Sequence, residues 1–375
     1  MVYHLKHTML AEQNAADEAR ARFVLGFKRH LMKDIRAANG LAYKVQAEPA
    51  YRKDKGRSPQ TRDEALEAYS LSPHYRYWAA LNRTTQEMMW QTVAESIYRD
   101  EARMQGEAQK LTSPSANKKG SLTLDPSFEA NPAYAGDGIH LQPESYLAND
   151  EDGLSVASGA FYEMGGRLYS MGRGMAARDS KAACVIAYIH EKRPGWSPKR
   201  ILDMGCSAGG ASAPYAEEFP DAEVHAVDLG SSMLRYAHAR AEALGQPVNF
   251  HQMDAAHTTF PDGYFDLIIS HNMLHEISTK TRREVAAETK RLLAPGGLAI
   301  HQDVDLLFRG KTIWEEAERS WDLVHNHEPF WLDYATSEFE KELVEAGFAE
   351  DKTQGRVLPK TDGPGGWQAF IVEAE

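Results

Sequence analysis

Apolar residues recur at helical spacing along the first third of the chain. Over residues 11–39 they fall four apart with lysine and arginine between them, which predicts an amphipathic helix. A polar stretch over residues 49–59 interrupts this pattern, and helical spacing returns over residues 61–69 and 73–109. Residues 1–110 are therefore expected to form a helical domain.

The pattern changes twice after the helical domain. Residues 111–160 are rich in Ser, Pro, Asn, Asp and Gly, which predicts an irregular connection. A helix is expected over residues 176–192, and short apolar runs then alternate with helical windows. Such alternation predicts a parallel sheet with helices on both faces. The expected elements are strands at 200–204, 223–227, 248–251, 265–270 and 298–302, a helix at 336–346, and strands near 348–353 and at 367–373.

This pattern divides the chain into three parts. They are a helical domain over residues 1–110, an irregular connection and active-site cover over 111–175, and an α/β domain over 176–375. The α/β domain contains an insertion at residues 303–333, after the fifth predicted strand.

Composition and charge narrow the class of protein. With 42% hydrophobic and 26% charged residues, the chain has a globular composition rather than a disordered one. No apolar run is long enough for a transmembrane helix or a secretory signal, so we expect a cytoplasmic protein without membrane contact. The net charge of −12 argues against a nucleic-acid partner, although the basic N-terminal region leaves an RNA-binding arm open. The cysteines Cys184 and Cys206 are too few for a disulfide framework.

The sharpest motif is the run ILDMGCSAGG at residues 201–210, where a predicted strand enters a helix through glycines. Glycines at such a turn let a ligand approach the backbone, and the helix offers free N–H groups. The run lacks the second glycine of a dinucleotide fingerprint. It does match G-x-S-x-G, the serine-hydrolase elbow with Ser207 as nucleophile, although that elbow normally follows several strands. A glycine turn without a ligand is the remaining alternative.

Acidic residues stand at the ends of three successive predicted strands, at Asp203, Asp228 and Asp254. A carboxylate at the end of the second strand is placed to accept hydrogen bonds from two ribose hydroxyls. Asp254 could accept from an adenine amino group. Each acid alone would more often be a helix cap or a surface residue, but three in succession favour a nucleoside ligand.

The segments LDMGCSAGG, AVDLGSSML, HQMDAAHTTFPDGYFDLIISHNMLHEI and RLLAPGGL, within residues 201–300, resemble the successive motifs of class I S-adenosylmethionine-dependent methyltransferases. The resemblance implies a Rossmann-like, doubly wound α/β sheet of seven strands. It also implies that S-adenosylmethionine, and its product S-adenosylhomocysteine, lies across the carboxyl ends of the strands. The cofactor-binding residues so implied are Asp203, Gly205, Cys206, Ser207, Gly209, Asp228, Leu229, Met233, Asp254, Ala255, Ser270 and His271.

Transfer to a hydroxyl group also requires a base, and histidine suits neutral pH. Leu274-His275-Glu276 is similar to the Leu-His-Asp-Trp segment of plant-type O-methyltransferases, in which the histidine is the general base. We therefore expect His275 to be the base, with His271 as second candidate and Glu276 available to orient an imidazole. A structural role for His275 stays open, since Ile277 replaces the tryptophan.

Aromatic residues in the insertion and in the glycine-rich segment 159–178 are expected to face the acceptor. The segment is expected to be a flexible cover or an ordinary surface loop, and packing against the helical domain would explain the aromatics of the insertion equally well. His325 and His327 are spaced like a metal pair, but on a helix they would not share a face, so no metal is expected. The candidate substrate-binding residues are Tyr162, Tyr169, Trp314, Trp321, His325 and Trp331.

The helical domain ahead of an α/β domain also resembles the plant-type O-methyltransferase architecture, which implies a homodimer. The expected function is O-methylation of a small-molecule acceptor by S-adenosylmethionine. Three alternatives stay open: an S-, N- or C-methyltransferase without a general base, a non-catalytic cofactor-binding protein, and a serine hydrolase acting through Ser207.

Overall fold

The computed structural model describes residues 6–130, 134, 138–147, 153–170, 180–361 and 363–374. Within these residues, no helix is both long and apolar enough to cross a membrane. Helices precede residue 113, and strands alternate with helices after residue 199, as the sequence predicts.

Five helices build the N-terminal unit, and the first begins in a capping box formed by Asn14 and Asp17. Instead of one helix over 11–39, α1 continues into a π-helical and a 3-10 segment. The break predicted over 49–59 is wrong for its first half, because Pro49 lies in the first turn of α3, where a missing N–H costs no helical hydrogen bond. The helices are α1 (Ala15–His30), α2 (Asn39–Ala42), α3 (Glu48–Lys55), α4 (Arg62–Ser70) and α5 (Pro73–Thr112).

A single sheet lies at the centre of the α/β domain, with strand order β1-β4-β3-β2-β5-β6-β8-β7. All neighbouring pairs are parallel except the two that involve β8. The strands are β1 (Ser121–Thr123), β2 (Arg200–Met204), β3 (Glu223–Asp228), β4 (Val248–Gln252), β5 (Phe265–His271), β6 (Leu293–Asp303), β7 (Thr353–Pro359) and β8 (Gly366–Glu373).

Over the described residues the sheet has eight strands rather than the expected seven, because the connection predicted to be irregular supplies β1. Its three residues pair with β4 at the sheet edge. Gly120 permits this approach, since a Cβ there would lie 2.0 Å from the carbonyl oxygen of Val248. The carboxylate of Glu242 also accepts hydrogen bonds from the backbone N–H groups of Lys119 and Gly120.

Helices cover both faces of the sheet, which confirms the doubly wound arrangement. On one face, Ile201 packs in a core with helices α7 to α9; on the other, its neighbour Leu202 packs in a core with α10 and α14. These helices are α7 (Ser180–Lys192), α8 (Ser212–Glu218), α9 (Ser231–Ala243), α10 (Thr279–Leu292) and α14 (Phe339–Glu345).

The segment expected to be a flexible cover or surface loop is a helix where the structure describes it, α6 (Ala157–Tyr169). It packs tightly between α5 and α9: a Cβ on Gly165 would lie 2.2 Å from the Trp90 ring, and one on Gly159 would lie 2.3 Å from Tyr236. The later residues of this segment, 171–178, lie outside the described residues.

The insertion folds into short helices, α11 (Ile313–Arg319), α12 (Trp321–His325) and α13 (Trp331–Ala335). Beyond it, the strand expected near 348–353 is wrong. That stretch contains a 3-10 turn, Glu350–Lys352, and β7 begins only at its last residue, Thr353. The predicted homodimer stays a prediction.

Candidate active site

A cavity of about 680 Å³ opens at the carboxyl ends of the central strands. The loops after β2 to β5 form its floor, while α6, the insertion and the segment 138–147 form its other walls. We call residues 138–147 the strap. One end of the cavity is lined by the glycine-rich loop and by Asp228, and the other by His140, His275, Glu276 and Glu328. We call these the cofactor end and the acceptor end.

The glycine-rich loop turns sharply at Gly205, Ser207 and Gly209, which have φ values of 70°, 48° and 69°. The absence of a side chain at Gly205 matters for space as well, since a Cβ would lie 2.8 Å from the sulfur of Met273. Among the described residues, no histidine nitrogen is hydrogen-bonded to the hydroxyl of Ser207. The loop therefore resembles a cradle for a ligand more than a serine-hydrolase site.

Asp228 lies at the centre of the cofactor end. Its Oδ2 accepts a hydrogen bond of 2.8 Å from the N–H of Ser207, and its Oδ1 accepts one of 3.1 Å from the N–H of Gly230. Burial raises the pKa of this carboxyl, against those hydrogen bonds. The side chain faces the cavity, where it can accept from ribose hydroxyls.

The other predicted cofactor residues divide into three groups. The first group lines the cavity together with Asp228 and comprises Gly205, Ser207, Leu229, Met233, Asp254 and Ala255. The second group lines a recess of about 10 Å³ beside the glycine-rich loop and comprises Asp203, Cys206 and His271. In that recess, Asp203 accepts a hydrogen bond of 2.6 Å from the hydroxyl of Ser212. Ser270 is hydrogen-bonded to His301 at 2.9 Å, and Gly209 packs beside Phe250. Neither Ser270 nor Gly209 is among the described residues that line the cavity.

His275 lies on the short 3-10 turn Leu274–Glu276 after β5. Its Nδ1–H donates to Asp303 Oδ1 at 2.6 Å, and its Nε2 lies 3.4 Å from Glu276 Oε1. Burial alone would lower the pKa of His275, but Asp303 and Glu276 together raise it well above its ordinary value. The Asp303 bond fixes the tautomer, so that Nε2 is the nitrogen available to a proton from an acceptor.

The second candidate base, His271, has partners at both nitrogens. Its Nε2 lies 3.0 Å from the hydroxyl of Tyr215, and its Nδ1 lies 2.8 Å from Oε1 of Gln302. It is buried beside the glycine-rich loop rather than at the acceptor end. Between the two histidines, the geometry favours His275 as the base.

Sequence reasoning missed His140, which the strap places between two carboxylates. Its Nε2 lies 2.6 Å from Glu276 and its Nδ1 lies 2.8 Å from Glu328. Burial would lower the pKa of His140, but Glu328 and Glu276 raise it well above its ordinary value. Conversely, burial would raise the pKa of Glu276, whereas His140 and His275 lower it well below its usual range.

Ligand-capable atoms of His140, His275 and Glu328 lie within 4.8 Å of one another, a spacing that a metal ion also requires. In this arrangement, however, both nitrogens of His140 are already hydrogen-bonded to carboxylates, as is Nδ1 of His275. Such geometry suits protonated imidazole better than a metal ligand. The predicted absence of a metal stays a prediction.

Only three of the predicted substrate-binding residues, Tyr162, Tyr169 and Trp331, are among the described residues that line the cavity. The structure corrects the other three, which pack against the helical domain. Trp314 stacks on Tyr43 at 6.2 Å between ring centroids, and the indole N–H of Trp321 donates to the carbonyl of Ala79. His325 lies beside the Trp321 ring, and its carbonyl accepts from Arg83.

Part of the α/β domain is similar to known proteins. Residues 201–297 match the family model described as a methyltransferase domain. The chain is 35% identical to a Thermus thermophilus demethylmenaquinone methyltransferase over 36% of its own length and 57% of that protein. It is also 35% identical to a Geobacter sulfurreducens malonyl-[acyl-carrier protein] O-methyltransferase, over 34% of its own length and 48% of that protein.

A third relative is phosphoethanolamine N-methyltransferase 1 of Arabidopsis thaliana, which is 32% identical over 30% of this chain and 21% of that protein. The chain thus spans about half the length, or less, of these curated relatives. Their names state three different acceptors, so the similarity does not single out one.

Proposed function

We propose that this chain, whose residues 201–297 match the family model of a methyltransferase domain, is a class I S-adenosylmethionine-dependent methyltransferase that methylates an oxygen atom of a small molecule with His275 as general base. The observation that carries the proposal is the single cavity that joins Asp228 and the glycine-rich loop to the His275–Asp303 pair.

The cofactor end fits S-adenosylmethionine on its own geometry. Asp228 presents a buried carboxylate to the cavity for the ribose, and the turn at Gly205 leaves backbone exposed for the methionine portion. Leu229 and Met233 offer apolar surface to the adenine, with Asp254 at its edge. When bound, the cofactor supplies an electrophilic methyl group on a positively charged sulfur.

The acceptor end supplies the proton chemistry. A hydroxyl that loses its proton to Nε2 of His275 becomes the better nucleophile for methyl transfer. The carboxylate of Asp303 stabilises the resulting imidazolium through Nδ1, and Glu276 adds a second negative charge 3.4 Å from Nε2. The proton leaves the oxygen and stays on His275 until solvent removes it.

The walls between the two ends indicate what kind of acceptor fits. Aromatic side chains of α6, α13, the strap and the helical domain line the cavity, and carboxylates line both of its ends. A flat, largely apolar acceptor with a hydroxyl group matches these walls. The aromatic residues on these elements are Trp90, Tyr146, Tyr162, Tyr169 and Trp331, and the cavity is also lined by Tyr134 and by Trp367 of β8.

Methyl transfer to another kind of atom, and a non-catalytic cofactor-binding role, compete with this proposal. Transfer to sulfur, nitrogen or carbon would make the base dispensable, and a cofactor-binding protein without activity would use only the cofactor end. The position of His275 Nε2 at the cavity, with Nδ1 fixed by Asp303, favours the oxygen acceptor.

The test uses the purified chain, S-adenosylmethionine with a deuterated methyl group, and a panel of phenols, alcohols, amines and thiols. We expect a hydroxyl compound to gain the labelled methyl group while S-adenosylhomocysteine accumulates, both followed by mass spectrometry. The variant His275→Gln is the matched control and should slow transfer without weakening cofactor binding. Transfer to amines or thiols alone, undiminished in that variant, would overturn the oxygen acceptor and the base together.

A further inference from the structure

The strap holds His140 in an unusual backbone conformation. His140 and Leu141 have φ values of 56° and 61°, which is a left-handed backbone conformation that residues other than glycine rarely adopt. The indole N–H of Trp90 on α5 donates to the carbonyl of His140 at 2.7 Å, and His327 of the insertion donates to the carbonyl of Gly138 at 3.2 Å. Two separate parts of the chain, α5 and the insertion, therefore hold the backbone of the strap at His140 in place.

The surroundings of His140 form a continuous polar network. Its two carboxylate partners are Glu276 and Glu328, and the Glu276 carboxylate also accepts from the hydroxyl of Tyr146 at 3.1 Å. Glu328 is 2% exposed and accepts from Asn326 at 2.6 Å. Its other oxygen, Oε2, is buried without a hydrogen-bond partner among the described residues. Glu328 therefore depends on His140 for its compensating positive charge.

His275 is surrounded by negative charge, which works against its use as a base. Asp303 and Glu276 both stabilise its protonated form, whereas a general base must be neutral before it takes a proton. The ring of His140 lies 6.3 Å from that of His275, between centroids. A positive charge at that distance offsets part of the carboxylates' effect.

We propose that His140 is a positioning residue whose positive charge, held between Glu276 and Glu328, offsets part of the negative charge around His275 and so makes its neutral, basic form easier to reach. The inference rests on the proposed function, since it assigns His140 a role through His275. It also links the strap to the chemistry, because His275 has the His140 charge as a neighbour only when the strap lies in the cavity.

Other charged groups also face the two imidazoles and enter the balance. Asp322 on α12 is half-buried, and its desolvation raises its pKa to about 8, with Glu328 adding to the effect. Burial lowers the pKa of Lys28, at the edge of the network, to about 8. The remaining neighbours are Tyr169, Asn326 and Tyr146 around His140, and the rings of Trp331 and Tyr334 around His275.

The test follows the protonation of His275 by NMR as a function of pH, with S-adenosylhomocysteine bound and no acceptor present. The His275 resonance is identified by its loss in His275→Gln. In His140→Gln we expect the His275 midpoint to rise by about one pH unit or more, because a nearby positive charge is lost. Glu328→Gln should move the midpoint the opposite way, and Tyr169→Phe, which changes no charge, should leave it in place.

An unchanged His275 midpoint in both His140→Gln and Glu328→Gln would overturn the proposal. Binding of S-adenosylhomocysteine, measured by calorimetry on each variant, verifies that the protein is folded. Stoichiometric zinc in the wild-type protein, found by elemental analysis and lost in His140→Gln, would also overturn it in favour of a metal site. Since no acceptor is used, failure here is distinguishable from failure of the oxygen acceptor.

Discussion

At the cofactor end, Asp228 is held by backbone N–H groups of Ser207 and Gly230, in the loops that directly follow β2 and β3. At the acceptor end, His140 is held by Glu276 and Glu328, and 136 residues separate His140 from Glu276. The contacts that hold Asp228 therefore come from loops of the sheet itself. The acceptor end exists only when the helical domain, the strap and the insertion are all in place.

This difference predicts two classes of defect. Changes at the cofactor end should weaken cofactor binding and leave assembly intact. Changes at the acceptor end should alter the chemistry or the docking of distant parts of the chain while the cofactor still binds.

The largest effect is expected for His275→Gln. Loss of a general base slows transfer about 10²- to 10⁴-fold, whereas the affinity for S-adenosylhomocysteine should stay close to that of the wild type. Rates come from labelled methyl transfer and affinities from calorimetry. His271→Gln is the matched control, and it should raise the KM for the cofactor instead. Near wild-type turnover of His275→Gln, with no ionisation near neutral pH, would show that His275 is structural.

The next effect concerns assembly through Glu163 on α6. Its buried carboxylate accepts hydrogen bonds from Arg240 at 3.0 Å, from Tyr236 at 2.8 Å and from His7 at 3.0 Å. Glu163→Gln should lower the free energy of unfolding by about 3 to 5 kcal/mol, because it leaves the buried Arg240 charge without a carboxylate to compensate it. Urea unfolding measures this, with the exposed Glu18→Gln as a control expected to change little.

The carboxylate of Glu163 should also make the free energy of unfolding depend on pH. Burial would raise the pKa of Glu163, but Arg240 and His7 lower it to about 2. Since the folded pKa lies below the unfolded value of about 4.3, the stabilisation is present above pH 4.3 and is lost as the pH falls toward 2. When the pH is lowered from about 5 to about 3, where the wild type begins to lose this stabilisation, Glu163→Gln should therefore lose less stability than the wild type. Equal losses in both proteins would contradict the assignment.

A somewhat smaller effect is expected for Asp228→Ala at the cofactor end. Each charge-assisted hydrogen bond lost to a ribose hydroxyl costs about 1.5 to 3 kcal/mol, or roughly 10- to 150-fold in Kd. Stability should change less than in Glu163→Gln, since the loop contacts to Asp228 are local. Calorimetry measures the Kd of Asp228→Ala for S-adenosylhomocysteine, and an affinity equal to that of the wild type would contradict the placement of the cofactor.

The smallest effect is expected for Ser207→Ala. Only the backbone N–H of Ser207 holds Asp228, so the variant should keep most methyl transfer. A fluorophosphonate probe should not label the wild-type protein. Stoichiometric labelling at Ser207 would instead support a serine hydrolase.

The contrast between the two ends also explains what the sequence could predict. Strand ends and glycine turns are local signals, so the sequence could place Asp203, Asp228 and Asp254 at or just after the ends of β2, β3 and β4. His275 also lies just after a strand, β5, but it was singled out by the resemblance of Leu274-His275-Glu276 to a family motif. Asp303 follows the same rule at the end of β6 and could have been found by it.

The remaining features depend on contacts between distant segments. His140 lies in a stretch without periodicity, and nothing local marks it as a partner of Glu276. In the segment His325-Asn326-His327-Glu328 the sequence made the histidines the candidate site residues, whereas Glu328 is the member that lines the cavity among the described residues. The strand β1 was missed because its three residues form a strand only through pairing with β4.

The central claim is that the two ends meet at the transferred methyl group. The most direct test compares the protonation midpoint of His275, followed by NMR, with S-adenosylmethionine bound and with S-adenosylhomocysteine bound. The two ligands differ by one methyl group and one positive charge. If the sulfonium faces His275, the midpoint should be lower with S-adenosylmethionine, by about one pH unit. Identical midpoints with both ligands bound would contradict the account.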